Sequence, residues 1–176
     1  MVASSTQPAL GAIRLAWWRE ALERLDHTTP APEPRLQAAS RELIAREISG
    51  KILATLEDGW ATLLDEAPDL ERIAKRGALL FEVAAKLLDG ADPKLAAAGR
   101  LFALRQVARK QLLTPSSSLA ELRQLAGHRF PRKLRPLTAF ARLSARDAGQ
   151  QRAIEPEATP GRAIALLSHR LFGKVS

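Results

Sequence analysis

Nowhere in this chain does polarity alternate with period two for long enough to make a strand. Apolar residues recur instead at i, i+3, i+4 and i+7, in segments punctuated by proline or glycine. That restricts the fold to an all-α, single-domain helical bundle of about seven or eight helices. Composition points the same way. Ala, Leu and Arg dominate, β-branched residues are sparse and Tyr is absent, so helix is favoured almost everywhere. A length of 176 residues is enough for one domain with a real core. Residues 1–7 read as a disordered start, and 8–176 as the helical domain.

Punctuation sets the expected elements. A first helix runs from about residue 8 to residue 26, followed by HTTPAPEP (27–34), which no helix can cross. A second starts at Pro34 and carries Leu36, Ala39, Leu43, Ile44 and Ile48. After Ser49-Gly50 a third buries Ile52, Leu53, Leu56, Trp60, Leu63 and Leu64 on one face. The fourth, Leu70 to Leu88, is nearly encircled by apolar residues and is expected to be central. Asp92-Pro93 opens the fifth helix, which contains Gly99 and ends at Thr114-Pro115. Gly99 costs about 1 kcal/mol relative to Ala, to be offset by a close helix crossing or by room for a ligand. Ser118 and Glu121 spell a capping box for a short sixth helix. A basic turn (127–136), a helix over 136–148, a loop (149–161) and a last helix from Thr159-Pro160 complete the chain.

Charge is distributed unevenly. Residues 1–99 carry 12 Lys+Arg against 15 Asp+Glu, whereas residues 100–176 carry 15 against 4. A strongly basic half implies an anionic partner or a solvated arginine-rich surface. Cysteine is absent, which excludes disulfides, thiolate metal sites and a cysteine nucleophile. With no apolar run near ~20 residues and no signal-type leader, a cytoplasmic protein is expected, peripheral to the inner membrane at most.

The most individual text is Ile13–Leu25, IRLAWWREALERL. Its adjacent tryptophans, Trp17 and Trp18, point about 100° apart on a helix. Each is expected to find its own packing site, one in the core and one against a flanking helix, so both are read as core anchors. With this spelling the chain resembles the squalene/phytoene synthase family of all-α prenyl synthases. IAKRGALLFEVAAKLL (73–88), centred on Gly77, resembles that family's glycine-containing active-site helix, which makes Gly77 a further anchor. AAAGRLFALRQVARKQLLTP (96–115) resembles its second aspartate-rich helix, with Gly99, Ala103, Arg105 and Arg109 at matching places.

The resemblance implies the isoprenoid synthase fold and a diphosphate site in which facing carboxylates hold Mg²⁺. The departures remove that chemistry. Gln106 stands where the second motif has aspartate, no carboxylate lies between Pro93 and Pro115, and the first motif falls before Met1. The chain therefore resembles an N-terminally short, degenerate member with Gly99 and Gln106 as vestigial motif positions, no catalytic residues, no metal and no cofactor.

Other constellations are weaker. Asp65-x-x-x-Asp69 has metal-pair spacing but contains Pro68, so it reads as a turn with a helix-capping aspartate. His27, His128 and His169 lack ligand spacing and read as surface or loop residues. Ser116–Ser118 has no base nearby. The best anion-binding candidates are Arg129, Arg132, Lys133 and Arg135, with Arg105 and Arg109, for diphosphate or a lipid headgroup.

The expected function is a non-catalytic synthase-like protein binding an isoprenoid or anionic lipid, or acting with a protein partner in assembly. The alternatives are an active Mg²⁺-dependent prenyltransferase with carboxylates supplied elsewhere, and a basic helical nucleic-acid binder. The last ranks lowest, because the arginines are dispersed and no recognition motif appears.

Overall fold

A computed structural model describes residues 8–109, 118–149 and 155–175. Among these the regular structure is helical, and the sole β feature is an isolated antiparallel bridge between Arg129 and Lys174. The chain divides into two compact units, 1–76 and 77–176.

In the first unit, α1 (Pro8–Arg24) begins at a proline and buries Gly11 and Leu15. Arg24 and Glu20, one turn apart on its surface, pair at 3.0 Å. Helix α2 (Pro34–Glu42) starts where the sequence signals it: the Glu33 carboxylate accepts from Leu36 N at 2.8 Å, and Pro34 occupies the first turn. It stops earlier than the apolar pattern suggests. A 3₁₀ turn over Ile44–Arg46 follows, and Glu47 adopts left-handed geometry (φ 59°). Ile48 N then bonds back to Leu43 O at 3.0 Å, which turns Ile48 into the core.

The helix expected over 52–64 is instead a chain of short pieces: α3 (Gly50–Ala54), α4 (Asp58–Ala61) and 3₁₀ turns after each. Local chemistry explains the tightening. Thr55 Oγ1 donates back to Ile52 O at 2.7 Å, competing with the regular ladder. Gly50 sits so close to α1 that an added Cβ would lie 2.0 Å from Leu22 O. The C-terminus of α1 also supplies a cap. Asp26 accepts from Gly50 N (2.6 Å) and Lys51 N (2.9 Å), and these two bonds hold its carboxyl below the ordinary 3.8. The Asp65–Asp69 string is a turn, as Pro68 requires: Asp65 is extended and Asp69 accepts from Glu71 N and Arg72 N.

Helix α5 (Leu70–Leu87) runs from the first unit into the second. In the second unit it crosses α6 (Leu95–Arg109) at Gly77 and Gly99. A Cβ on either glycine would fall 2.1 Å from the other's carbonyl oxygen, so the crossing exists only because both lack side chains. Short α7 (Leu119–Gln124), long α8 (Arg135–Gly149) and α9 (Pro160–Phe172) follow, with α8 packed on both α6 and α9. Their core gathers Phe81, Leu101, Leu125, Phe130, Leu134, Ala141 and Val175. Ser118 precedes α7 but makes no capping bond, and Glu121 pairs with Arg100 at 3.2 Å rather than closing a capping box. Thr159 caps α9 as expected, and Gly173 ends it in left-handed geometry. The predicted end of α6 at Thr114-Pro115, residues 1–7 and Ser116-Ser117 lie outside the described residues.

Candidate functional site

The tryptophan pair does not sit as its spelling suggests. The buried side of α1 is Gly11, Leu15 and, beyond the helix, Leu25, with Trp18 and Leu22 half-buried. Ile13 and Trp17 face outward, and Trp17 is 45% exposed, so it is not a core anchor. The two rings also meet one another, edge to face at 5.0 Å, instead of seeking separate partners. Their attachment bonds diverge by about 100°, but indole reach is long enough to close the gap.

Trp18 instead forms a wall of an open apolar cleft of about 550 Å³ in the first unit. Leu15 and Leu22 of α1, Ala39 and Leu43 from the α2 region, and Leu53, Leu56 and Trp60 line the rest. Arg19 and Glu57 stand beside them, 3.9 Å apart. Trp60 is held from behind. The Arg76 guanidinium stacks 3.9 Å from its ring centre and donates to Gly59 O at 2.7 Å. Burial depresses the Arg76 pKa to about 10, which leaves it charged at neutral pH. Gly59 permits this contact, since a Cβ there would collide with Arg76 Cβ at 2.5 Å.

The second unit holds most of the arginines singled out in the sequence, in two different settings. Arg105 and Arg109 of α6 converge with Arg162 of α9 on one buried residue, Asp147 of α8. Arg109 reaches Asp147 Oδ2 at 2.7 Å, Arg162 reaches Oδ1 at 2.6 Å, and Arg105 donates to the Asp147 carbonyl at 2.9 Å. Arg146 binds Glu155 beside this knot, and together with Thr159 holds the Glu155 carboxyl at about 2. The two candidate diphosphate ligands on α6 are thus engaged inside the bundle. Gln106 faces solvent, whereas Gly99 is buried in the α5 crossing with Gly77, so the vestigial positions do not share a cavity.

Arg135 is likewise structural: it donates to Phe130 O, Arg170 O and Leu171 O, closing the end of α9. Arg129, Arg132 and Lys133 are exposed. Arg132, Arg135 and Arg170 border a cleft of about 670 Å³ whose walls include Pro136, Ala139, Leu166 and Leu171.

His128 lies in the loop after α7, partly buried, whereas His169 departs from the surface-or-loop reading. His128 Nε2 lies 2.8 Å from the half-capping carboxylate of Asp92. His169 is fully buried, with Nδ1 2.8 Å from Lys174 O and Nε2 2.9 Å from Thr138 Oγ1; burial lowers its pKa below 6.5. Sequence reading missed Asp147, Arg162, His169 and the cleft that Trp60 and Trp18 both line. One signal was available for Asp147. It is the lone acidic residue between Glu121 and Glu155, placed in the last turn of a helix, where the dipole disfavours a carboxylate.

Among the described residues no group of three or more His, Asp or Glu side chains is arranged to hold a metal ion, and no helix is long and apolar enough to cross a membrane. Comparison with known proteins yields no matching family model, curated protein or solved structure.

Proposed function

We propose that this chain is a non-catalytic, squalene/phytoene-synthase-like helical protein whose Trp18–Trp60 cleft takes an isoprenoid or similar apolar chain. The single observation carrying this reading is the cleft itself: half of the WWRE pair faces an apolar groove instead of a packed core. Its volume is in the range of small-molecule sites, and its aromatic and aliphatic lining suits hydrocarbon. Among the described residues the charges lining it, Arg19 and Glu57, are of opposite sign, so they offer no net attraction to a diphosphate. The non-catalytic part rests on the α6 sequence, which lacks a carboxylate, and on the engagement of Arg105 and Arg109 with Asp147.

Intrinsic tryptophan fluorescence tests the reading. Titration with farnesol should change Trp18 and Trp60 emission, farnesyl diphosphate should bind no better, and Ala39→Phe, which fills the groove, should abolish the response. Absence of any response to either compound removes the cleft reading. Release of diphosphate from farnesyl or geranylgeranyl diphosphate in the presence of Mg²⁺ removes the non-catalytic one and restores the active prenyltransferase.

A further inference from the structure

Helix α9 is packed inside out. Arg162, Ala165 and His169, spaced i, i+3, i+7, form its buried stripe, with Arg162 8% and His169 1% exposed. On the opposite side Ile164, Leu167 and Leu171 repeat the same spacing and are 67%, 58% and 60% exposed. A helix on the surface of a water-surrounded bundle has the reverse arrangement. The inversion is not a register accident, because the inward polar groups are satisfied: Arg162 binds Asp147, and His169 bonds Lys174 O and Thr138. Rotating α9 to hide its aliphatic stripe would break all of these at once.

What flanks the stripe selects its partner. Arg132 and Arg170 border the same cleft as Leu166 and Leu171, and Lys133 is exposed next to Arg132. No Asp or Glu occurs from Leu122 to Arg146 or from Ala158 to Ser176. Cations therefore border the C-terminal end of the stripe, while Glu157 stands exposed just before its N-terminal end. An aliphatic stripe with arginines at its edge is the pattern of a helix lying in a membrane interface, with side chains among acyl chains and arginines at phosphates. A second copy covering this stripe would instead show itself as a dimer in solution.

We propose that the α9 face docks on the surface of an anionic lipid bilayer, Ile164, Leu167 and Leu171 entering the acyl boundary and Arg132, Lys133 and Arg170 meeting headgroups. This is independent of the Trp18–Trp60 cleft: Ala39→Phe should leave it intact.

Cosedimentation of the full chain with vesicles of phosphatidylcholine, with or without phosphatidylglycerol, is the test. The chain should pellet with the anionic vesicles and bind neutral ones roughly tenfold more weakly or less. Added salt should reduce the difference. The pair Ile164→Ser/Leu167→Ser should lose about tenfold in partitioning. Arg132→Glu/Arg170→Glu should lose the anionic preference. All four positions are exposed, so circular dichroism should report an unchanged fold. No pelleting with either vesicle, equal binding to both, or undiminished binding by the serine variant overturns the proposal. So does a wild-type dimer that the serine variant converts to monomer without any vesicle binding, which would assign the stripe to a second copy.

Discussion

The two units bury arginine in opposite ways. In the first, Arg76 is held by a backbone carbonyl and the face of Trp60, and burial lowers its pKa to about 10. In the second, Arg109 and Arg162 share the carboxylate of Asp147 while Arg105 takes its carbonyl. The neighbourhoods differ in charge as well: residues 1–76 carry 10 basic against 12 acidic side chains, residues 77–176 carry 17 against 7. A guanidinium stacked on an aromatic ring needs no partner charge and leaves that ring's other surroundings available for a cleft. Several guanidiniums brought together need an anion, and the bundle supplies one from within. The consequence for function is that Arg105 and Arg109 stabilise the fold, while the cations able to meet an outside anion are the exposed ones.

This contrast can be broken most sharply at Asp147. Asp147→Asn leaves buried guanidiniums without their shared charge and should cost about 3–5 kcal/mol in urea unfolding. A cost below about 1 kcal/mol would mean that the knot is hydrated and that the contrast between the units fails. Trp60→Leu removes the ring under Arg76 and should cost roughly 2 kcal/mol, the upper range for a desolvated cation–π contact. Arg76→Met loses the same stacking and the bond to Gly59 O but also relieves the burial of a charge, so it should cost less than Trp60→Leu.

Acid titration separates the units further. Burial lowers the His169 pKa below its ordinary 6.5, so as pH falls the unfolded chain takes up this proton first. The contribution of His169 is present in full above about pH 6.5 and is lost as pH drops through its depressed folded value. This limb belongs to the second unit and should disappear in His169→Gln. A second decline should set in below the ordinary values of 4.5 for Glu155 and 3.8 for Asp26, whose carboxyls are depressed in the fold. It continues toward about 2 for Glu155. Thermal melts from pH 7 downward would show both limbs. A small effect, about 1 kcal/mol in the same unfolding assay, is expected for Trp17→Ala, which removes a half-exposed ring and its edge-to-face contact with Trp18.

Much of the architecture was legible residue by residue. Helix starts at Pro34 and Pro160, the Asp65–Asp69 turn and the glycine crossing point on α6 are local events, decided by groups within about four positions or by the absence of a side chain. The all-helical class followed from periodicity for the same reason. The candidate sites were legible only in part. Trp18 and the exposed basic turn were marked, but Trp17 was misread, because its stripe on α1 is as apolar as the one that turns inward.

What only the tertiary structure decided is which stripe of each helix faces in. On α9 an aliphatic row and a row with arginine and histidine have equal spacing, and periodicity by itself chooses the wrong one. The partners that reverse the choice lie far away in sequence: Asp147 is 38 residues from Arg109 and 15 from Arg162, and Thr138 is 31 from His169. A buried charge or imidazole is tolerated only where such partners converge, and convergence is a property of the folded chain rather than of any window within it.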